Sequence, residues 1–251
     1  MAASAGSPAI LAGGSMNLTT KIAVTGGPVQ NVTVKLTVRN SAQAVVGTHT
    51  FPAESFAADQ MQDYVYTFAS TDSLAAGKYS AWVEVVAGAQ TILAAAMVSS
   101  FDIQAPIRIK AGSSSSYTDS TGKVWARDSG YLGGSGDQYN YTTKNTADSG
   151  LYNSERNSSS GGVGATFAYE FDVPAAGNYK VNLKFVEDWC TANNMRLFHV
   201  SLNGQRVLTN FDIFKEGGLL SAVDKSFTVV QTAPGKLRIQ FDPTTADWPK
   251  V

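Results

Sequence analysis

The chain contains very little cysteine, histidine or charge. One cysteine, Cys190, and two histidines, His49 and His199, exclude an intrachain disulfide, a cysteine-based zinc site and most histidine-dependent hydrolase chemistry. Charged residues make up 16% and balance to a net charge of -1, so the basic surface that nucleic-acid binding requires is missing. No apolar run approaches the roughly 20 residues of a membrane-spanning helix. We therefore expect no nucleic acid, membrane, cofactor or catalytic metal as a partner.

The composition that remains is typical of a β-rich extracellular module. Hydrophobic residues reach 43%, which is enough for a packed core, and Ser, Thr, Gly and Asn stand where Lys, Glu and Arg are usual. The first residues, Met1 to Gly6, lack the basic and apolar segments of a signal peptide. We expect a secreted bacterial protein whose export signal is not part of this sequence.

The first hundred residues predict a β-sandwich. Residues 31–39 alternate strictly, with Val32, Val34, Leu36 and Val38 on one face. Gly77 stands two residues before Tyr79, which opens another strand, and this arrangement resembles the tyrosine corner of immunoglobulin-like sandwiches. We predict that residues 1–104 form an immunoglobulin-like or fibronectin-like spacer module without a sugar site. The boundary is placed near Gln104, ahead of the restricted backbone at Pro106.

The rest of the chain, residues 105–251, predicts a second β-sandwich, so the expected fold is all-β with two sandwich domains. Alternating strands occur at 167–173, 179–185 and 237–241, and Asn203-Gly204 is a strong two-residue hairpin signal. Between residues 111 and 164 the chain is rich in Ser, Gly, Asn and Tyr, the composition of a binding surface. The alternative is that these loops are ordinary and their tyrosines pack beneath them.

Several strings in this half occur together in one known family. They are Leu151–Arg156, Gly177–Glu187, Phe198–Leu208, Phe211–Ile213 and Asp247–Val251. In this order and spacing the series resembles the malectin domain, a carbohydrate-binding sandwich of the jelly-roll type. The resemblance runs from about Ile107 to the end of the chain.

The resemblance implies a shallow pocket in which loop aromatics and one late aspartate hold a glucose-containing disaccharide. The aspartate corresponds to Asp247, and one member of an aromatic pair corresponds to Trp189. The chain departs from the family at Cys190, where the second aromatic is expected, and at Asn157, where a tyrosine is expected. The tyrosine of the first loop corresponds to Tyr139 or Tyr141, and spacing leaves both open.

Sugar chemistry fits these residue types without reference to the family. A pyranose has an apolar C–H face that stacks on an aromatic ring, and hydroxyls that donate to a carboxylate. Trp189 follows an alternating strand, so it is either a stacking platform or a residue that caps the core. The same two roles are possible for Trp248. Glu155 and Arg156 are expected to brace their loop as a pair. The predicted carbohydrate-binding residues are Tyr131, Tyr139, Tyr141, Trp189, Asp247 and Trp248.

We therefore predict a non-catalytic carbohydrate-binding module for a di- or oligosaccharide unit, with a glucan favoured. It is expected to be a monomer, attached to further modules of a secreted polysaccharide-active protein. The alternative is an adhesin-like or scaffold fragment that binds protein. A glycoside hydrolase is less favoured, because nothing in the sequence sets two carboxylates opposite each other.

Overall fold

The computed structural model describes residues 9–71, 74–158, 165–174 and 176–251. The chain divides into two compact units, one formed by Met1–Pro106 with Pro174–Tyr179 and the other by Ile107–Val173 with Lys180–Val251. Strands supply almost all regular structure, which confirms the all-β expectation. Among the described residues the helical elements are α1 (Ile213–Gly217) and a 3-10 turn at Ser149–Leu151, and none has the length and apolar character to span a bilayer.

The first unit contains a six-stranded sheet and a two-stranded sheet. The strands are β1 (Ala9–Leu11), β2 (Ser15–Ala23), β3 (Val29–Asn40), β4 (Val45–Thr50), β5 (Glu54–Phe56), β6 (Met61–Ala69), β7 (Gly77–Ala87) and β8 (Gln90–Gln104). The large sheet has the order β1-β8-β7-β3-β4, with β5 also pairing β3, and β1 runs parallel to β8. The small sheet pairs β2 with β6.

The core of this unit follows directly from the alternation in the sequence. The apolar row of β3 is buried. Leu18 of β2 and Phe68 of β6 pack with Phe101 of β8, so apolar side chains of the two sheets pack against each other. Tyr79 is buried at the start of β7, and its hydroxyl donates to the carbonyl of Ala75 at 2.7 Å. This bond ties the turn before β7 to the strand itself.

The second unit has a five-stranded sheet and three strand pairs. The strands are β9 (Tyr117–Thr118), β10 (Val124–Trp125), β11 (Tyr131–Leu132), β12 (Ser135–Gln138), β13 (Ser154–Asn157), β14 (Phe167–Val173), β15 (Gly177–Phe185), β16 (Phe198–Leu202), β17 (Gln205–Phe211), β18 (Val223–Gln231) and β19 (Gly235–Pro243). The sheet has the order β11-β14-β19-β16-β17, and the pairs are β9–β10, β12–β13 and β15–β18. The first three residues of β15, Gly177–Tyr179, belong to the first unit.

Phenylalanines join the layers of the second unit. Phe185 of β15 lies with its ring centroid 6.0 Å from that of Phe198 and 5.0 Å from that of Phe211, both in the five-stranded sheet. The hairpin predicted at Asn203-Gly204 is present between β16 and β17, and both residues have positive φ, as a type I′ turn requires.

The end of the chain pairs with β13. The Arg156 amide donates to the carbonyl of Val251 at 2.9 Å, and the Val251 amide donates back to the carbonyl of Arg156 at 3.0 Å. Asn157 and Lys250 form the adjoining antiparallel bridge. These bonds fix the backbone just after Asp247 and Trp248, two of the predicted site residues.

The Tyr79 hydroxyl predicts a measurable stability effect. Tyr79→Phe removes the hydrogen bond that ties the turn at Ala75 to β7, so it is expected to lower the free energy of unfolding by about 1 kcal/mol in urea denaturation. Tyr66→Phe is the control, because the half-buried Tyr66 hydroxyl has no hydrogen-bond partner among the described residues. Equal effects of the two substitutions would show that the corner bond contributes nothing specific.

Candidate functional site

Strand β13 separates the predicted site residues into two groups. Successive side chains of a strand point to opposite faces, and in β13 Glu155 and Asn157 point to one side while Arg156 points to the other. Glu155 meets Lys250, whereas Arg156 meets Asp128. The expected Glu155–Arg156 pair is therefore wrong, because neighbours in a strand face away from each other.

On the Glu155 side, a fully buried carboxylate organises two loops. Glu187 follows β15 and has no exposed surface. Its Oε1 accepts the backbone amides of Trp189 at 3.1 Å and Cys190 at 3.0 Å. Its Oε2 accepts Nε of the buried Arg196 at 2.8 Å. The loop that carries Trp189 is thus fixed from beneath by one side chain.

Arg196 extends the same network to the end of the chain. Its Nη1 donates to the carbonyl of Trp248 at 2.7 Å, and its Nη2 lies 3.2 Å from Oδ2 of Asp247. The guanidinium is a planar donor fork, which suits several fixed acceptors at once. Glu187 and Arg196 together hold the Trp189 loop and the Asp247–Trp248 segment in one arrangement.

The charge state of Glu187 depends on this pairing. Burial acts to raise the pKa of its carboxyl. The hydrogen bond from Arg196, the nearby charge of Lys250 and the amide of Cys190 outweigh burial and hold the pKa below its ordinary value. Glu187 is therefore an anion at neutral pH and serves as a fixed acceptor.

A second buried cation, Lys250, joins two more carboxylates. Its Nζ contacts both Glu155 and Asp188. Glu155 also accepts Nδ2 of the buried Asn157 at 2.9 Å, and that same Nδ2 lies 2.8 Å from Asp137. Five carboxylates therefore stand against two cations here, which leaves acceptor capacity and a negative local charge. The carboxylates are those of Asp137, Glu155, Glu187, Asp188 and Asp247, and the cations are Arg196 and Lys250.

The two first-loop tyrosines have different surroundings. Their rings stack with centroids 5.8 Å apart and an interplanar angle of 20°. Tyr141 is half-buried, packs against Leu151 and Val186, and donates its hydroxyl to the carbonyl of Tyr152 at 2.8 Å. Tyr139 is 40% exposed. Tyr139 therefore presents the open ring, and Tyr141 supports it from behind.

Tyr139 also lies in the field of the acidic cluster. Partial burial raises the pKa of its hydroxyl, and the negative charges of Glu155, Asp188 and Asp137 raise it further. The phenol stays protonated at neutral pH and can donate. This field places Tyr139 beside the carboxylates on the Glu155 face of β13.

The two tryptophans differ in their exposure. Trp189 is 65% exposed, so it does not cap the core. Trp248 is half-buried, and its backbone carbonyl is held by Arg196. Trp189 therefore presents an exposed indole on a backbone that Glu187 fixes from below.

Asp247 is held rather than free. Its side chain is 11% exposed and contacts Arg196, and its backbone has φ of +25°, a conformation that costs energy in a residue other than glycine. Cys190 is buried where the family pattern has an aromatic, and burial together with the charge of Glu187 raises the pKa of its thiol to about 11. Cys190 is thus a packed, unreactive thiol.

Tyr131 lies apart from the other five residues. Its ring is covered on one face by the Arg156 guanidinium, 3.4 Å from the ring centroid, on the opposite side of β13 from Glu155. The structure therefore brings together Tyr139, Tyr141, Trp189, Asp247 and Trp248 around the buried charges, and leaves Tyr131 at a separate surface.

The charged support of the site was missed from sequence. Arg196 and Lys250 have no distinguishing neighbours in the chain, and their roles depend on partners at least nine residues away in sequence. One signal was available: in a chain with few charges, Glu155, Glu187 and Lys250 fall within the family-like strings. Among the described residues no group of three or more His, Cys, Asp or Glu side chains is arranged to hold a metal ion.

Comparison with known proteins gives the following matches. A family model of the malectin domain matches residues 106–248, more than half of the chain. Human malectin is 33% identical over 119 residues, covering 43% of this chain and 39% of the length of that protein. The extracellular domain of ANXUR1 from Arabidopsis thaliana matches with a TM-score of 0.52 at 16% identity, covering 93% of this chain and 79% of that chain, a likeness of fold alone.

The buried Glu187–Arg196 pair predicts a large mutational effect. Glu187→Gln leaves Arg196 without its main counter-charge, so it is expected to cost about 3 kcal/mol in the free energy of unfolding. Glu170→Gln is the matched control, since Glu170 pairs with Arg238 at 2.7 Å on the surface. That change is expected to cost less than about 1 kcal/mol. Similar costs for both variants in urea denaturation would contradict a supporting role for Glu187.

The depressed pKa of Glu187 also predicts a pH dependence. Its contribution to stability is fully present above the ordinary carboxyl value of 4.5 and is lost as pH falls through the lower folded-state pKa. The difference in unfolding free energy between the wild type and Glu187→Gln should therefore stay constant from neutral pH to 4.5 and shrink as the pH falls further. A difference that stays constant down to pH 3 would refute the assignment.

Proposed function

The chain belongs to the malectin domain family through residues 106–248, and we propose that this domain binds an oligosaccharide without transforming it. The site comprises the rings of Tyr139 and Trp189 beside the carboxylates of Asp188 and Asp247. The observation that carries the proposal is the exposed Trp189 indole, fixed through its backbone by the buried Glu187. Such a ring offers stacking area at little cost in conformational entropy.

The charge of the site favours a neutral sugar. An excess of carboxylates repels acidic ligands but accepts hydrogen bonds from hydroxyls, and each carboxylate has about four acceptor positions. Asp247 uses part of its acceptor capacity on Arg196 and on the backbone amide of Trp248, at 2.8 Å, and retains the rest. We therefore assign the pyranose C–H face to Trp189 and Tyr139, and its hydroxyl edge to Asp188 and Asp247. Tyr141 and Trp248 support this surface from behind.

The absence of catalysis is supported by the state of the carboxylates. A glycosidase needs one carboxylic acid that donates a proton at working pH, and its pKa is raised for that purpose. Glu187 has the reverse property, since it is fully buried and its pKa is lowered. Glu155 and Asp188 are both tied to Lys250. These side chains are arranged as fixed acceptors.

A glucan unit is the finer proposal, and it rests on the family resemblance. The chain aligns with 39% of the length of human malectin, so nothing of that protein's wider activity is carried over. Secretion within a larger polysaccharide-active protein remains a proposal based on composition. The curated relatives are animal malectins, and they do not support the bacterial origin expected from composition.

For the first unit we propose an immunoglobulin-like or fibronectin-like spacer, with the module boundary at residues 104–105. The Tyr79–Ala75 bond of 2.7 Å supports it, since a tyrosine corner is typical of such sandwiches. Trp82, the residue that could give this unit a sugar platform, is half-buried, and Arg39 lies over its ring at 5.2 Å. This aromatic is engaged internally.

Replacing the exposed indole tests the site directly. Trp189→Ala should weaken binding of maltose or another glucose disaccharide in calorimetry by about 1 to 3 kcal/mol, the range seen for aromatic stacking on bases. The thermal midpoint of this variant should hardly change, because surface substitutions usually alter the free energy of unfolding by no more than about 0.5 kcal/mol. Trp82→Ala, in the other unit, is the control and should leave affinity unchanged.

Two results would contradict the proposed function. One is the absence of binding to any glucose disaccharide or glucan by the wild-type chain. The other is release of reducing sugar from those ligands by the pure protein, which would make the site catalytic.

A further inference from the structure

A recess lies in front of Tyr131, on the Arg156 side of β13 and therefore on the other face from Tyr139 and Glu155. Its volume is about 480 Å³, and its walls include Ser114, Arg127, Asp128 and Ser129. This volume lies within the roughly 300 to 1,000 Å³ typical of small-molecule sites. The proposed sugar site does not use this surface.

The aromatic wall of the recess is held rigidly. The Arg156 guanidinium covers one face of the Tyr131 ring at 3.4 Å from its centroid. Arg156 is itself buried, and its Nε donates to Asp128 at 2.8 Å while its Nη1 donates to the carbonyls of Gly133 at 2.9 Å and Gly134 at 2.8 Å. Tyr131 nevertheless remains 46% exposed. The ring is a preorganised platform with a free surface.

The charge of this recess is opposite to that of the proposed sugar site. Asp128 uses one oxygen on Arg156 and the other on the hydroxyl of Tyr169, at 2.8 Å, so its charge is already balanced by Arg156. Arg127 is exposed, and its guanidinium has no acidic partner among the described residues. One uncompensated positive charge therefore stands beside the ring, with the Ser114 and Ser129 side chains on the same walls.

We propose that this recess is a second saccharide site, specific for a hexuronate unit. The pyranose C–H face stacks on Tyr131, the sugar carboxylate pairs with Arg127, and its hydroxyls reach Ser114 and Ser129. Guanidinium and carboxylate form paired charge-assisted hydrogen bonds, which a neutral hexose cannot make. This site is independent of the one around Trp189 in position and in the charge of its ligand.

An NMR titration tests the proposal with matched probes. The ¹⁵N-labelled full chain is titrated with methyl β-D-glucuronide and, separately, with methyl β-D-glucoside, which lacks only the carboxylate. The glucuronide should shift the amides of residues 113–114 and 127–131, with an affinity on the order of 1 mM because a shallow site buries part of a small ligand. Added salt should weaken it by screening the exposed ion pair.

Substitutions at two positions locate the binding. Arg127→Gln should weaken glucuronide binding about tenfold or more, since a hydrogen bond to a charged group is lost. It should leave the fold intact, because Arg127 has no partner among the described residues. Tyr131→Phe keeps the platform and should bind the glucuronide as the wild type does, whereas Tyr131→Ala should not.

Trp189→Ala separates this proposal from the proposed function. It should leave glucuronide shifts unchanged, while Arg127→Gln should leave disaccharide binding at Trp189 unchanged. The proposal is overturned if the glucuronide produces no shifts in residues 113–114 and 127–131. Equal response to glucoside and glucuronide, or full binding by Arg127→Gln, overturns it as well.

Discussion

The ion pair between Glu187 and Arg196 is the interaction on which the rest of the site depends. Glu187 holds the Trp189 loop through backbone amides, and Arg196 holds Asp247 and the carbonyl of Trp248. Two segments more than fifty residues apart in sequence are thus fixed by one buried pair. Buried pairs are weak sources of net stability because both charges lose their hydration. The role of this pair is therefore to position the loops.

Positioning has a direct consequence for binding a sugar. A shallow site gains little from burial, so any entropy lost in ordering its loops would consume much of the binding energy. With the Trp189 backbone already fixed, the loop itself does not have to be ordered when a ligand binds. The strained backbone of Asp247 fits the same picture, since strain persists only where the surroundings determine the conformation.

Strand β13 is the second organising constraint. Its alternation sends Glu155 towards Lys250 and Arg156 towards Asp128, and so divides the charges of the domain between two faces. The face with Tyr139 and Trp189 is acidic, whereas the recess at Tyr131 carries the unpaired Arg127. One strand thereby separates surfaces that suit ligands of different charge.

Much of the fold could be predicted because it rests on local periodicity. The alternation of residues 31–39 and the Asn203-Gly204 turn define β3 and the β16–β17 hairpin, and both are present. The exposure of Trp189 does not follow from the sequence, since the position after a strand is compatible with packing or with exposure. Strict alternation is absent around Ser154–Asn157, so β13 was not recognised and the opposite directions of Glu155 and Arg156 were missed.

The buried charges were harder still to predict. Arg196 follows a polar loop, and only the folded chain brings it to Glu187 and Asp247. The division of the tyrosines also depends on tertiary contacts. Tyr141 and Tyr152 pack into a small core with Leu151, while Tyr139 and Tyr131 stay exposed on different faces. Composition predicted a binding surface between residues 111 and 164, but it could not assign each tyrosine ring to one face of the domain.

The most direct test of the account is a crystal structure of the chain with a bound glucose disaccharide. The account predicts a pyranose ring in van der Waals contact, about 4 Å, with the Trp189 indole. Its hydroxyls should lie within hydrogen-bond distance of Asp188 or Asp247, with the Glu187–Arg196 pair intact. A disaccharide bound away from Trp189, or a Trp189 loop that detaches from Glu187 on binding, would contradict it.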